Sequence, residues 1–311
     1  MNYSILGTIL LLMTTTAMAN TSGRSFYGDE PYRVEEFNVR ATGTLTVQTS
    51  GGNILVMGTS ESTARVEMHV RKSGRNLTPR DTDLSNFDIT IEANGSNIIA
   101  KAQRNSRGGN IWSGYNNESI SFTVYVPTGY STDLRTSGGR IGLSNLSGKQ
   151  ELRTSGGSIN LETLTGDVIA KTSGGTITIA GVHGMLDAST SGGTIRATDV
   201  TGDVSLKTSG GSIRVEDARG KLNAETSGGS INATILEADG TINLATSGGS
   251  ITVQLPETQG YDIEARGNRV SMDDVSFSGR SERDRLSGTI NGGGIPVRLR
   301  TSGGSVRIQY Q

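Results

Sequence analysis

The sequence Thr-Ser-Gly-Gly-x-Ile starts at Thr136 and returns at Thr154, Thr172, Thr190, Thr208 and Thr226, always at an interval of 18 residues. Another copy follows 20 residues later at Thr246, an early one sits at Thr49, and a last one at Thr301 has Val in place of Ile. A fixed period of this size means a stack of supersecondary units, each buried against its neighbours, in place of one globular core.

Aligning the units in columns shows which positions face inward. Ile141, Ile159, Ile177, Ile195, Ile213, Ile231 and Ile251 form the first column, and two residues on come Leu143, Leu161, Ile179, Ala197, Val215, Ala233 and Val253. A third column runs Leu146, Leu164, Val182, Val200, Ala218 and Leu236, followed by glycines at 148, 166, 184, 202 and 220. Val168, Leu186, Val204, Leu222 and Ile242 follow, then Leu152, Ala170, Ala188, Leu206, Ala224 and Leu244, with Gln150 the one polar member. Spacing of two is strand periodicity, and the glycines mark turns, where their tolerance of positive φ is useful. The expected fold is all-β: a β-solenoid, or single-stranded β-helix, with 18-residue coils, each made of two short strands and two corners. Right-handed winding is the default for such crossovers. Residues 131–311 form the solenoid, with irregular coils and a charged loop within 255–290. Residues 35–130 alternate less regularly and form a β-rich N-terminal part that caps or begins the stack.

Residues 1–19 read as a signal peptide: an apolar run from Ile5 to Met13, too short to span a bilayer, precedes Ala17-Met18-Ala19. Residues 20–34 are then a linker, and the mature chain has no transmembrane segment. This points to an exported protein, periplasmic in preference to surface-bound or secreted. The absence of cysteine excludes disulfides, a lipidated Cys and Cys-ligated metal. With 29 basic and 30 acidic residues, nothing favours nucleic acid as a partner.

The ordered set of Thr-Ser-Gly-Gly-x-Ile repeats, the Val126-Pro127-Thr128-Gly129 lead-in and Asn291-Gly292-Gly293-Gly294 before Val297–Gly304 resembles the DUF4097 family of candidate adhesins. The resemblance covers the chain from about Phe37 onward. It implies a bacterial, envelope-associated β-solenoid without established catalytic activity, cofactor or catalytic residues.

Two places could bind a ligand. The Gly/Asn-rich stretch 106–118 holds Asn110, Trp112 and Tyr115, a composition suited to stacking on sugar rings and bonding their hydroxyls. The leading reading of this stretch is instead a plug in which Trp112 and Ile111 fold over an end of the stack. The residues preceding each Thr-Ser-Gly-Gly include Arg135, Arg153 and Lys171, a column suited to a polyanion. Against it, Glu151 and Asp187 lie on the same face, as on an ordinary solvated surface.

An enzymatic β-helix needs converging acids. The best acidic column, Lys149, Asp167, Met185, Asp203 and Lys221, instead alternates charge along the ladder. His69 and His183 have no metal-ligand spacing, and neither a metal site nor a catalytic set is expected. The sequence therefore points to a non-enzymatic envelope binding or scaffold protein whose partner is an envelope component, either a glycan or another protein. A polysaccharide lyase or hydrolase, and an envelope-stress protein with a protein partner, are the alternatives. The oligomeric state is not legible.

Overall fold

The apolar columns meet in register. In the computed structural model, which describes residues 30–105, 118–273 and 276–311, Ile141, Ile159, Ile177, Ile195, Ile213, Ile231 and Ile251 stack on parallel strands and are fully buried. Leu152, Ala170, Ala188, Leu206, Ala224 and Leu244 form the facing stack, also in parallel register. Every regular element among the described residues is a strand. The fold is thus an all-β solenoid. Burying each larger side chain contributes roughly 1.5–3 kcal/mol, so the interior file is the main source of stability.

The three-residue step between the second and third columns has a local cause. Asn145, Thr163, Gly181, Asp199 and Asp217 take φ between 52° and 68°, drop out of the ladder, and turn the next residue inward. Asn, Asp and Gly adopt this left-handed conformation most readily, whereas β-branched Thr163 is strained there and is held by the stacked coils. The coil after Thr226 lacks such a residue and alternates strictly: Ile231, Ala233 and Ile235 point inward. Ile235, which pairs with Ala218, is 1% exposed, while Leu236 is 37% exposed. The expected place of Leu236 in the third column is therefore corrected to Ile235.

The Thr-Ser-Gly-Gly corner is built differently from the simple turn the sequence implies. Its threonine points inward. The Thr208 hydroxyl donates to the Gly193 carbonyl of the preceding coil (2.8 Å) and accepts from the Gly211 N–H (3.3 Å). The same donated bond recurs from Thr136, which reaches Gly52, to Thr301, which reaches Gly249. Each threonine thus satisfies backbone groups that the bend leaves unpaired. The second glycine does not have positive φ; it is required because a Cβ at Gly193 would collide with the Gly175 carbonyl oxygen. The first glycine is open: a Cβ at Gly192 would have its nearest neighbour at 3.7 Å. Positive φ belongs to the other corner, at Gly148, Gly166, Gly184, Gly202 and Gly220. Gln150, fully buried, accepts from the Thr132 hydroxyl (2.7 Å) and donates to the Tyr130 carbonyl (3.0 Å).

Both ends leave sequential order. The strands Thr42–Thr49 and Ile54–Thr59 lie between the rung Asn97–Arg104 with Glu118–Pro127 and the rung Gly129–Thr136 with Ile141–Ser147. At the other end, Ile295–Thr301 and Ser305–Tyr310 are inserted between the coil Ile242–Leu255 and the strands Tyr261–Arg266 and Arg269–Met272. Antiparallel strands then close both ends: Arg33–Asn38, Thr63–Lys72 and Phe87–Asn94 at one, Phe277–Ser281 and Arg285–Ile290 at the other. The charged loop expected within 255–290 falls instead on this last hairpin, where Phe277–Ser281 and Arg285–Ile290 are strands and residues 278–285 are exposed.

Candidate functional site

Outward side chains on successive strands form a column along one face. Arg135, Arg153 and Lys171 are adjacent in register, as expected, and each has a carboxylate. Arg135 lies 2.8 Å from Asp133 and 3.8 Å from Glu151, Arg153 lies 2.9 Å from Glu151, and Lys171 lies 3.4 Å from Asp187. The hydrogen bond from Arg153, with the charges of Arg153, Arg135 and Lys149, holds the Glu151 carboxyl below its ordinary range. This stretch is a neutralised, solvated face.

The same column continues through Ser189, Lys207, Glu225 and Ala245 to Arg300, then Arg266, then Arg285. Lys207 is paired with Glu225 at 3.3 Å. Beyond Ala245 the balance changes. Arg300, Arg266 and Arg285 occupy consecutive strands, and the row two residues away reads Arg298, Glu264, Ser287. Glu264 lies 2.8 Å from Arg266 and 3.4 Å from Arg300, whereas Arg298 and Arg285 are exposed and have no ion pair among the described residues. Next to Arg300 and Arg266 lies a shallow concavity of about 480 Å³, lined also by Lys207, Glu225 and the exposed Ser209, Ser227, Ser247 and Ser302. Arg300 directly precedes the last Thr-Ser-Gly-Gly copy, at Thr301, and so belongs to the repeat column, whereas Arg266 and Arg285 precede no copy and are missed by it. Arg298 stands where Arg135 and Arg153 have Asp133 and Glu151, two residues before the cation, and that replacement is the local signal in the sequence.

Asn110, Trp112 and Tyr115 lie outside the described residues. The alternating column holds an ion pair along the ladder, Lys221 to Asp203 at 3.0 Å, and its Met185 is 47% exposed. His183 is exposed, while His69 is buried beside Glu67 at 3.6 Å. The proximity of His69, aided by Arg65, holds the Glu67 carboxyl down against the opposing effect of burial. Among the described residues no group of three or more acids or histidines is placed to hold a metal ion, and no helix is long and apolar enough to cross a membrane. Chemically, these open charges and hydroxyls can hold a ligand at the surface; they do not enclose one.

A family model described as Toastrack DUF4097 matches residues 42–309. Among solved structures, the chain is similar to a candidate cell adhesion protein from Clostridium sporogenes, with 13% identity, coverage of 91% of this chain and 100% of that one, and a TM-score of 0.20. A candidate adhesin from Bacteroides fragilis shows 10% identity, 90% and 96% coverage and a TM-score of 0.30. A candidate lipid binding protein from Parabacteroides distasonis shows 15% identity, 88% and 96% coverage and a TM-score of 0.36. No curated protein matches the sequence.

Proposed function

Since this chain belongs to the Toastrack DUF4097 family, we propose that it is an exported, non-enzymatic module of the cell envelope that binds an envelope component on the outer face of its stack. One observation carries the reading: charged and hydroxyl side chains are arrayed along an open face in strand register. Such an array gives many weak, regularly spaced contacts, which suit attachment to an extended partner. Catalysis by two acids requires a pair converging on one bond. The acids on this face are instead drawn to neighbouring cations. Export is supported by the apolar run at residues 5–13 and Ala17-Met18-Ala19, and the periplasm is preferred because the chain has no cysteine to carry a lipid anchor.

The test is co-sedimentation of the chain starting at Asn20 with isolated envelope fractions, beside a Trp112→Ala variant. Sedimentation with a glycan-containing fraction is expected. Retention by the variant assigns binding to the stacked face, and loss assigns it to the 106–118 stretch. Failure to sediment with any fraction overturns the reading, as does release of new reducing or unsaturated sugar ends. Fractionation of expressing cells tests location: recovery in the cytoplasm alone would refute export.

A further inference from the structure

We propose that Arg300, Arg266 and Arg285, with Arg298 beside them, form a binding site for a carboxylate-bearing oligosaccharide. The inference rests on the reading of this chain as an envelope-binding module and names the site and ligand class. Neighbouring strands lie about 4.8 Å apart, so three guanidinium groups in one row repel one another. The chain places them there all the same, with Glu264 alone bonded to two of them. A ligand bringing several negative charges at short intervals relieves that repulsion. Guanidinium forks accept carboxylates in paired hydrogen bonds, giving such a site orientation as well as charge complementarity.

The surroundings favour a sugar over a lipid surface. The concavity beside Arg300 and Arg266 exposes the hydroxyls of Ser209, Ser227, Ser247 and Ser302, which can both donate to and accept from sugar hydroxyls. A membrane-inserting site needs apolar groups, but the large apolar side chains exposed among the described residues are Val34, Met185 and Leu236, and none lines this concavity.

Calorimetric titration of the chain starting at Asn20 with polygalacturonate and alginate oligomers tests the site, with neutral dextran and phosphatidylglycerol vesicles as comparison arms. Binding to at least one acidic oligomer is expected, weakening steeply between about 0.05 and 0.5 M salt. Loss of one charge-assisted pair predicts that Arg285→Ser weakens binding roughly tenfold, and the double variant Arg266→Ser/Arg285→Ser further. Arg196→Ser, on the other strand ladder, should bind as wild type. Because the altered arginines are exposed, unchanged thermal unfolding checks that the variants fold. No binding to either oligomer, equal binding to dextran, preference for the vesicles, or full affinity in the double variant would each overturn the site. Envelope sedimentation without oligomer binding removes this site but leaves the functional reading standing; oligomer binding without envelope sedimentation does the reverse.

Discussion

One outer column runs through two regions that handle positive charge in opposite ways. In the regular coils, Arg135, Arg153 and Lys171 each meet a carboxylate, and two of these partners, Asp133 and Glu151, stand two residues upstream in the same strand. Past Thr246, the position two residues before Arg300 is Arg298, and Arg266 and Arg285 arrive from other parts of the chain. In the regular coils each of these cations has a carboxylate of its own, whereas past Thr246 one carboxylate, Glu264, serves both Arg266 and Arg300, and Arg285 and Arg298 have no ion pair among the described residues. The first region is organised for stability. The second keeps charge available.

If so, the regular region should fail through its interior. Ile195→Asp buries an unpaired charge and is expected to cost about 4 kcal/mol or more, read by urea unfolding, whereas Arg196→Ser should stay within about 0.5 kcal/mol. Similar melting of the two would break the assignment of inward and outward positions. Gly193→Ala should cost about 3 kcal/mol because its Cβ meets backbone that has no room to move, and Gly192→Ala much less. Thr208→Val leaves the Gly193 carbonyl and Gly211 N–H short of a partner, an expected loss of roughly 1–3 kcal/mol.

Charge changes should be smaller and should separate the regions. Glu264→Gln leaves the arginine cluster without its carboxylate and should destabilise by up to about 1 kcal/mol at low salt, with recovery near 1 M salt. Glu151→Gln should matter less: Arg153 loses its carboxylate, but Arg135 keeps Asp133, so one cation and not two is left without a partner. Equal salt dependence in the two variants would remove the distinction. The smallest effect concerns pH. Because Glu151 titrates below its ordinary range when folded, its contribution is present above the unfolded carboxylate pKa and lost as pH falls through the folded value. Thermal unfolding of wild type and Glu151→Gln should therefore differ slightly at neutral pH and converge in acid.

The stack was legible because an 18-residue period places identical positions on identical neighbours, and period-two spacing shows which face inward. Leu236 was misplaced because its column depends on a left-handed residue, and no such residue bends the coil after Thr226. The glycine pair was legible as a corner, but the reason for its second member was not, since close approach between coils is a property of stacking. Arg135, Arg153 and Lys171 could be aligned from the repeat alone. The meeting of Arg300 with Arg266 and Arg285 could not, because it depends on strands pairing out of sequential order.

That insertion also sets a timetable. The strands Ile295–Thr301 and Ser305–Tyr310 occupy the lane between the Thr246 coil and the strands Tyr261–Arg266 and Arg269–Met272, although they are synthesised after both. Until those strands arrive, Tyr261–Arg266 and Arg269–Met272 lack the parallel partners through which they pair with the stack. The strands made last thus complete the end of the stack, and a chain stopped at Asn291 is expected to lose the parallel partners of both Tyr261–Arg266 and Arg269–Met272, more than the loss of one rung.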